Sequence, residues 1–370
     1  MSRRVFTSAV LLLLVVMMCC GAGGGAAQAP EVPPVDLEAS SGKHFVWKEK
    51  KEGETVESLH VPSLVEMNGD VFAVAEADCK KKKDGDKEYF PCIASDLLEW
   101  TDGQSKELDT VQVKTQVLEE CPSDNANCAS REVVNAVSQE NRVVDVSRPT
   151  TVVNGSDIYM LAGTYMREGA ANAHSPAMAR RGLLLSRGNV NGEDRDRNKR
   201  IYWNYIDSFR STSNIEGRES FTELTGGGGS GVNMKDGTLV FPVEGTKKQS
   251  STEGNQMEKT VSLILYLKDT KSWTLSKGTS ADGCSDPSVV EWKDKKLIMM
   301  TACDDGRRRV YESDDMGDSW TEALGTLSRV WGKNEEGRDK GVGSGFITAR
   351  IEHRDVMLVT LPVYAKREQK

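Results

Sequence analysis

One stretch of the chain combines residue types and a spacing that favour a hydrogen-bonded turn. Ser313, Asp315, Gly317 and Ser319 alternate with other residues, and the run ends on Trp320. An Asp carboxylate at the second position can accept hydrogen bonds from the amides of its own turn, and a glycine permits the positive φ that such a turn needs. The indole can fold inward and anchor the turn between two sheets. This spacing is that of an Asp-box, a structural turn between the outer strands of a β-propeller blade, and it predicts a fold rather than a catalyst.

Other segments that could hold a cofactor or a polyanion lack the residue spacing or the charge that such binding requires. Residues 226–231 (GGGGSG) lack the Gly-Lys-Ser/Thr ending of a phosphate loop, and we interpret them as a flexible crossing between blades. Four histidines and no Cys-x-x-Cys pair give no metal-ligand spacing, so no metal and no cofactor are expected. A net charge of −8 argues against a nucleic-acid partner. The lysine run 80–83 is interpreted as a solvated loop, with a heparin or nucleic-acid patch as the alternative.

The elements that must position these residues are short apolar strands joined in hairpins. Each hairpin is apolar at most positions, as expected of the buried inner strands of a propeller. Three hairpins are predicted: residues 64–67 with 71–75 around Asn68-Gly69, residues 150–153 with 158–162 around Asn154-Gly155, and residues 288–292 with 297–301 around a lysine-rich turn.

Weak internal repetition supports the same architecture. Residues 264–273 (ILYLKDTKSW) resemble a decayed Asp-box that lies 47 residues before the intact one, Trp to Trp, and residues 93–100 (IASDLLEW) resemble a third copy. That spacing suits one four-stranded blade. Helical periodicity is confined to residues 107–117 and 130–138.

The N-terminus has the form of an export signal. Arg3 and Arg4 precede an apolar core at residues 9–20 and a small-residue tail that ends at Ala29. The core is too short to cross a bilayer. We therefore predict a signal peptide over 1–29, a spacer over 30–44, a mature chain without a membrane span, and a secreted or cell-surface location. The charged end at residues 365–370 carries no lipid-anchor signal.

Export changes the expectation for the cysteines and for one asparagine. Six cysteines remain after the leader and favour disulfides in an oxidising compartment, with 15 pairings open. The local pairs are our prediction: Cys79–Cys92, Cys121–Cys128 and Cys284–Cys303. Asn154 begins an Asn-Gly-Ser sequon at a predicted turn, so it is an exposed candidate for glycosylation.

Several longer segments resemble the trypanosome trans-sialidase superfamily. They are residues 148–165 (RPTTVVNGSDIYMLAGTY), 283–292 (GCSDPSVVEW), 307–320 (RRRVYESDDMGDSW) and 322–332 (EALGTLSRVWG). The resemblance implies an all-β, six-bladed sialidase-type β-propeller over residues 45–370, with the last strands and a lectin-like domain missing from this sequence. It also implies a tyrosine nucleophile with a glutamate base, an aspartate acid/base and three arginines that clamp the carboxylate of sialic acid.

Carried over position by position, most of this catalytic set is altered. His60 stands where the first arginine is expected, Ala302 where the second is, and Arg148 where a pocket aspartate is. Asp286 matches the base, and the acid/base falls near Asp84 or Asp86. The third arginine and the tyrosine would lie beyond Lys370.

These positions also have ordinary structural interpretations. His60 fits a turn or core histidine, and Asp286 fits a strand cap. Residues 307–309 (RRR) could replace the clamp, but strand alternation turns 307 and 309 to one face and 308 to the other.

The altered positions favour a non-catalytic surface or secreted glycoprotein that acts as an adhesin or immune decoy. Its expected partners are sialylated or other host glycoconjugates, or host cell-surface or matrix proteins. The alternative is an active exo-α-sialidase or trans-sialidase that uses other residues. A third alternative is a product that does not fold, because a propeller without its closing strands leaves an open sheet edge.

Overall fold

The computed structural model describes residues 44–49, 53–83, 86–98, 113–121, 142–168, 178–191, 199–211, 215, 217, 221–250, 256–269, 272–306, 308–323 and 344–360. The predicted signal peptide and all but the last residue of the spacer lie outside this part of the chain. The described residues form β-strands and one 3₁₀ turn, and they contain no α-helix. Nowhere among them is there a helix long and apolar enough to cross a membrane.

The first sheet, sheet 1, contains six strands. Their bounds are β1 (His44–Glu49), β2 (Thr55–Met67), β3 (Asp70–Lys83), β4 (Asp86–Leu98), β5 (Lys114–Cys121) and β6 (Arg142–Val143). The order is β1-β5-β4-β3-β2, and β6 also pairs with β5. The predicted hairpin turn between β2 and β3 is confirmed, because Asn68 and Gly69 both have positive φ, 54° and 84°.

The helical prediction for residues 107–117 is wrong where the structure describes it. Residues 114–117 belong to β5, which lies between two apolar clusters, with Val117 in one and Leu118 in the other. A strand that is buried on both faces loses the alternation that would identify it. Residues 130–138 lie outside the described part of the chain.

Sheet 2 is a four-stranded meander with a short added strand. It contains β7 (Asp145–Asn154), β8 (Asp157–Glu168), β9 (Met178–Asn191) and β10 (Arg200–Ser211), which follow one another in the order β10-β9-β8-β7. β7 and β8 form the second predicted hairpin, and Gly155 has a φ of 63° in its turn.

Sheet 3 has a divided inner strand. The chain runs through β11 (Phe221–Gly226), β12 (Gly229–Ser230) and β13 (Val232–Asn233) before β14 (Leu239–Ser250), β15 (Gln256–Leu267) and β16 (Trp273–Leu275). β11 and β13 both pair with β14, whereas β12 crosses to sheet 2 and pairs with β7 in parallel. Asp269 accepts hydrogen bonds from the amide and hydroxyl of Ser272 between β15 and β16, which is the pattern expected of the decayed Asp-box.

Sheets 4 and 5 complete the described part of the chain. Sheet 4 contains β17 (Cys284–Glu291), a 3₁₀ turn (Lys293–Lys295), β18 (Leu297–Cys303), β19 (Arg308–Ser313) and β20 (Thr321–Glu322), in that order. Sheet 5 is the hairpin of β21 (Phe346–Ile351) and β22 (Arg354–Val359). The third predicted hairpin, β17 with β18, is confirmed.

Consecutive sheets pack face to face through separate apolar cores. Trp203 and Phe72 lie between sheets 1 and 2, and Phe241 and Leu183 lie between sheets 2 and 3. Smaller clusters join sheet 3 to sheet 4 and sheet 4 to sheet 5. This arrangement is that of propeller blades, in which each sheet covers the next. The described residues make five sheets, and the count of six blades stays a prediction.

Two predicted disulfides are confirmed. Cys79 bonds to Cys92 across β3 and β4, and Cys284 bonds to Cys303 across β17 and β18. Both are local to one hairpin, which explains why sequence proximity identified them. The third predicted pair lies outside the described residues at Cys128.

Candidate functional site

Three inner strands carry the same break at one end of the propeller axis, here called the axial end. β2, β7 and β17 each lose ladder register at an X-Pro-Ser/Thr sequence in which X has positive φ. The three X residues are Val61 (47°), Arg148 (51°) and Asp286 (51°). Positive φ is costly for residues with a Cβ atom, and such strain concentrates at sites where the surrounding structure fixes it. The repeated bulges therefore identify this end as the place to look for a site.

The glycine run of sheet 3 supplies the fourth position. Gly228 has a φ of 77°, and a Cβ atom there would lie 2.2 Å from Val61 Cγ1 and 4.0 Å from Arg148 Cβ. The inner strands of sheets 1, 2 and 3 therefore meet at the axis, with room only for glycine at this point. The amides of Gly227 and Gly231 donate to Pro242 O and Thr151 O, respectively. The run crosses between blades as predicted, but it is tied by hydrogen bonds to sheets 2 and 3 and is not a loose linker.

Arg148 is the centre of the axial end. Its Nε donates to Gly226 O at 2.8 Å, and its Nη2 donates to Gly227 O at 2.9 Å. The same Nη2 lies 2.6 Å from Glu244 Oε1 and 3.0 Å from Asp286 Oδ1. We call Arg148, Glu244 and Asp286, with the two carbonyl groups, the Arg148 cluster. It ties sheets 2, 3 and 4 together across the axis.

The amides at the breaks in sheets 2, 3 and 4 are each capped by a side chain from the preceding sheet. Arg148 N donates to Glu76 Oε2 at 2.8 Å, Gly228 N donates to Thr150 Oγ1 at 2.9 Å, and Asp286 N donates to Glu244 Oε1 at 2.7 Å. These amides have left the strand ladder, so a side-chain acceptor replaces the missing partner. The axial end is therefore a preorganised network.

Asp286, the residue that matches the family base, is built into this network. Its side chain is 4% exposed and is held by Arg148. Ser285 Oγ also donates to Asp286 Oδ2 at 3.1 Å. The carboxylate therefore forms a buried ion pair with the guanidinium. The structure thus brings together two of the predicted site residues, Asp286 and Arg148, but as partners of each other.

His60 lies nearby on β2 and is exposed. Its Nε2 is 3.0 Å from Asp78 Oδ2 and 2.9 Å from Ser58 Oγ. The hydroxyl of Ser58 is the main cause that lowers the pKa of Asp78, with smaller contributions from His60, against the opposing effect of burial. These three residue types do not form a nucleophile triad, because Ser58 and Asp78 contact the same ring nitrogen, whereas a triad needs them on opposite nitrogens.

The remaining predicted site positions do not supply a carboxylate clamp. Ala302 is buried on β18 and lies opposite Arg308 in the register of β18 and β19. Arg308 is 1% exposed, and Arg309 pairs with Asp305 at 2.7 Å. Asp84, Arg307 and the side chain of Asp86 lie outside the described residues. Asp86 is placed only by its backbone, opposite Lys83 at the end of the β3–β4 hairpin.

The axial end carries more negative than positive charge among the residues that the structure describes. Glu244 and Asp286 contact the guanidinium of Arg148, and Glu76 accepts a hydrogen bond from its backbone amide. A field of this sign repels an anionic ligand. No group of three or more His, Cys, Asp or Glu side chains in the described residues could hold a metal ion. Among the described residues, the Arg148 cluster cross-links sheets 2, 3 and 4.

The Asp-box turn lies far from this network, between β19 and β20. Asp315 Oδ1 accepts from Ser319 N at 2.9 Å, and Ser319 Oγ donates to Asp315 Oδ2 at 2.6 Å. The hydroxyl of Ser319 is the largest cause that lowers the pKa of Asp315 to about 2. Gly317 has a φ of 79°, and its amide donates to Ser313 Oγ. Trp320 packs against the core between sheets 3 and 4, so the motif is structural.

Asn154, the candidate glycosylation site, ends β7 and is exposed. Its side-chain oxygen accepts a hydrogen bond from Asn233 Nδ2 at 3.2 Å. The position is accessible at a hairpin turn. Glycosylation there stays a prediction.

Sequence reasoning missed Glu76 and Glu244, the two acids that organise the axial end. Each lies in the second strand of its sheet and reaches the bulge of the following sheet. A usable signal existed in the repeated X-Pro-Ser/Thr of the inner strands: Val61-Pro62-Ser63, Arg148-Pro149-Thr150 and Asp286-Pro287-Ser288. The acids themselves have no local signature, because they act across sheets.

Comparisons with known proteins agree with this architecture. A model of the BNR repeat-like domain family matches residues 61–370. Sialidase 85-1.1 of Trypanosoma cruzi is 32% identical over 348 residues, which is 90% of this chain and 42% of that protein. Another T. cruzi sialidase is 35% identical over 236 residues, 62% of this chain and 19% of its own length. The chain thus spans less than half the length of these two relatives.

Solved structures show the same fold. Trypanosoma rangeli sialidase in complex with sialic acid aligns with a TM-score of 0.55 and 24% identity, over 88% of this chain and 49% of its own. A mutant of that sialidase displaying trans-sialidase activity aligns with a TM-score of 0.54 and 25% identity, over 87% of this chain and 49% of its own. The prediction of an all-β propeller is confirmed.

Proposed function

The chain belongs to the sialidase superfamily, and from that premise we propose that it is a non-catalytic member that binds glycans without cleaving them. The proposal concerns this chain alone. The two relatives of this chain are named sialidases, and both are longer than this chain.

The single observation that carries the proposal is the Arg148 cluster. Family chemistry, as the resemblance implies it, needs cationic groups turned toward a ligand carboxylate and a carboxylate base turned toward a nucleophile. Here Nε and Nη2 of Arg148 donate to protein acceptors, and Asp286 is one of those acceptors. The base position and the nearby guanidinium therefore neutralise each other.

The two other altered positions support the same proposal. His60 is bonded to Ser58 and Asp78, and Ala302 has no polar side-chain atom. A charge-assisted hydrogen bond contributes about 1.5–3 kcal/mol, so a lost arginine contact weakens transition-state binding substantially. Two lost contacts weaken it further.

The biological setting is part of the proposal. The leader predicts export, which would place the protein at a cell surface or in the medium. A glycan-binding, non-catalytic sialidase fold in that place suits an adhesin or an immune decoy toward host glycoconjugates. Host cell-surface or matrix proteins are the second class of partner.

The competing proposal is an active exo-α-sialidase or trans-sialidase. What favours it is the name of the relatives and the sialic acid in the solved T. rangeli structure. It requires catalytic groups other than the Arg148 cluster, such as Asp84 or Asp86. Replacement of either aspartate by alanine would then abolish a measurable rate.

The test combines turnover with binding on the same preparation. The purified mature chain is assayed for release of the fluorophore from a fluorogenic sialoside, with boiled protein as the control. Binding of 3′-sialyllactose is measured by calorimetry. We expect binding without turnover. Release above the boiled control would contradict the non-catalytic proposal, and absence of any glycan binding would contradict the glycan-binding proposal.

A further inference from the structure

A second concave site lies at the other end of the inner strands, here called the hairpin cavity. It has a volume of about 500 Å³ and lies between the inner strands of sheets 3, 4 and 5. Trp292, which lines it, lies six residues beyond Asp286, about 20 Å along an extended strand, and from there the cavity extends along the inner strands as far as Ser230, two residues beyond Gly228. Its volume falls within the range of small-ligand sites.

The cavity has a fixed aromatic wall. Trp292 packs on one side against the core between sheets 4 and 5, and its amide donates to Lys296 O to close the β17–β18 turn. Phe346 and Ile347 of β21 also line the cavity. The ammonium of Lys293 lies 5.5 Å from the centre of the Trp292 ring, so the indole offers a ligand an aromatic surface beside both apolar side chains and a cation.

Cations exceed carboxylates around the opening. Lys235, Lys293 and Arg350 line the cavity with Glu291 and Asp355. Lys293 and Arg350 share the single Asp355 at 3.7 and 3.9 Å, which are loose and exposed contacts. Within the described residues, the ammonium of Lys235 forms no ion pair. The opening thus has the opposite charge balance from the Arg148 cluster and attracts an anion.

Glu291 joins two inner strands beside the aromatic wall. Its Oε2 accepts from Lys235 N at 3.2 Å, which joins sheet 3 to sheet 4. Its Oε1 is buried and accepts no hydrogen bond from a described residue. Because that oxygen is fully buried, a ligand in the cavity cannot reach it, and Glu291 serves to join the two inner strands.

We infer that the hairpin cavity binds a carboxylate-bearing sugar ring, with the ring against Trp292 and its carboxylate near Lys235 and Arg350. The inference rests on the proposed glycan-binding function and assigns it a place. Glycan binding is thereby assigned to the hairpin end of the inner strands and not to the axial end, where the arginine clamp is missing. The ligand class is a terminal acidic sugar on a glycan chain.

The experiment compares 3′-sialyllactose with lactose on the full mature chain. Kd values are measured by calorimetry for the wild type, Lys235→Glu and Trp292→Ala. Lys277→Glu is the matched control, because Lys277 is 81% exposed and pairs with Asp318 away from the cavity. Lys235 is also exposed and has no packing role, so its variant keeps the test valid if Trp292→Ala fails to fold.

We expect 3′-sialyllactose to bind about tenfold more weakly to Lys235→Glu and to Trp292→Ala, and unchanged to Lys277→Glu. Lactose, which lacks the carboxylate, should bind weakly and should not respond to Lys235→Glu. If both cavity variants bind 3′-sialyllactose as the wild type does while His60→Ala loses it, binding is at the axial end and the inference is wrong although glycan binding stands. If the wild type binds no glycan, the proposed function and the inference are both wrong.

Discussion

At the scale of single residues, Arg148 determines what the axial end can do. A guanidinium that contacts Glu244, Asp286 and two backbone carbonyls is fixed by several bonds at once. The family resemblance implies an aspartate at this position, so the arginine reverses the sign of the side-chain charge. The same residue both neutralises Asp286 and joins three sheets, so its structural and functional effects are linked.

Removal of this guanidinium should be strongly destabilising. Arg148→Ala removes the guanidinium that contacts the half-buried Glu244 and the buried Asp286, and breaking a buried pair from one side costs about 3–5 kcal/mol. The free energy of unfolding in urea measures this. The double variant Arg148→Ala/Asp286→Asn should recover part of the loss because one stranded charge is also removed. A single-variant cost below about 1 kcal/mol would show that the cluster contributes little.

Asp315 makes the Asp-box sensitive to acid. Its folded pKa of about 2 lies below the ordinary value of 3.8, so its contribution to stability is present above 3.8 and is lost as the pH falls through about 2. Asp315→Asn removes the acceptor of the Ser319 hydroxyl. We expect the variant to melt at a lower temperature than the wild type near neutral pH, and the difference to shrink between about pH 4 and pH 2. A difference that stays constant over this range would contradict the assignment.

At the scale of elements, the repeated inner-strand bulge is the unit from which the site is built. In β2, β7 and β17 an X-Pro step leaves the ladder, and in β11–β13 a glycine run takes the same place. In sheets 2, 3 and 4, side chains from the preceding sheet cap the freed amides. The bulge at Asp286 is held from its other side by the disulfide between β17 and β18.

The Cys284–Cys303 disulfide should therefore be a measurable stabilising element. It closes a loop with a sequence separation of 19 residues, for which loop entropy predicts about 3 kcal/mol. Cys284→Ser/Cys303→Ser should lower the free energy of unfolding by that amount under non-reducing conditions. Cys79→Ser/Cys92→Ser, with a separation of 13, is the matched comparison. An unfolding midpoint that is unchanged in the first variant would contradict this prediction.

Local elements could be predicted from the sequence, and the axial network could not. The Asn68-Gly69 turn, the Asp-box and the disulfides depend on residues that are close in the chain, so their spacing is a direct signal. Arg148 is 96 residues from Glu244 and 138 from Asp286, and no local pattern reports that contact. The strand β5 was mistaken for part of a helix because burial on both faces hides its period.

At the scale of the whole molecule, the described sheets pack face to face around one axis, with an apolar core between each consecutive pair. The two ends of their inner strands carry different charged and aromatic side chains. One end is closed by an ion-pair cluster with an excess of carboxylates. The other end holds a cavity with an aromatic wall and an excess of cations. The proposed glycan binding depends on this difference between the two ends.

The most direct test of the central claim is a crystal structure of the mature chain soaked with 3′-sialyllactose. We predict an intact trisaccharide with its acidic sugar in the hairpin cavity, and Arg148 still paired with Glu244 and Asp286. Sialic acid bound at the axial end, with the Arg148 cluster opened and the glycosidic bond cleaved, would contradict the account.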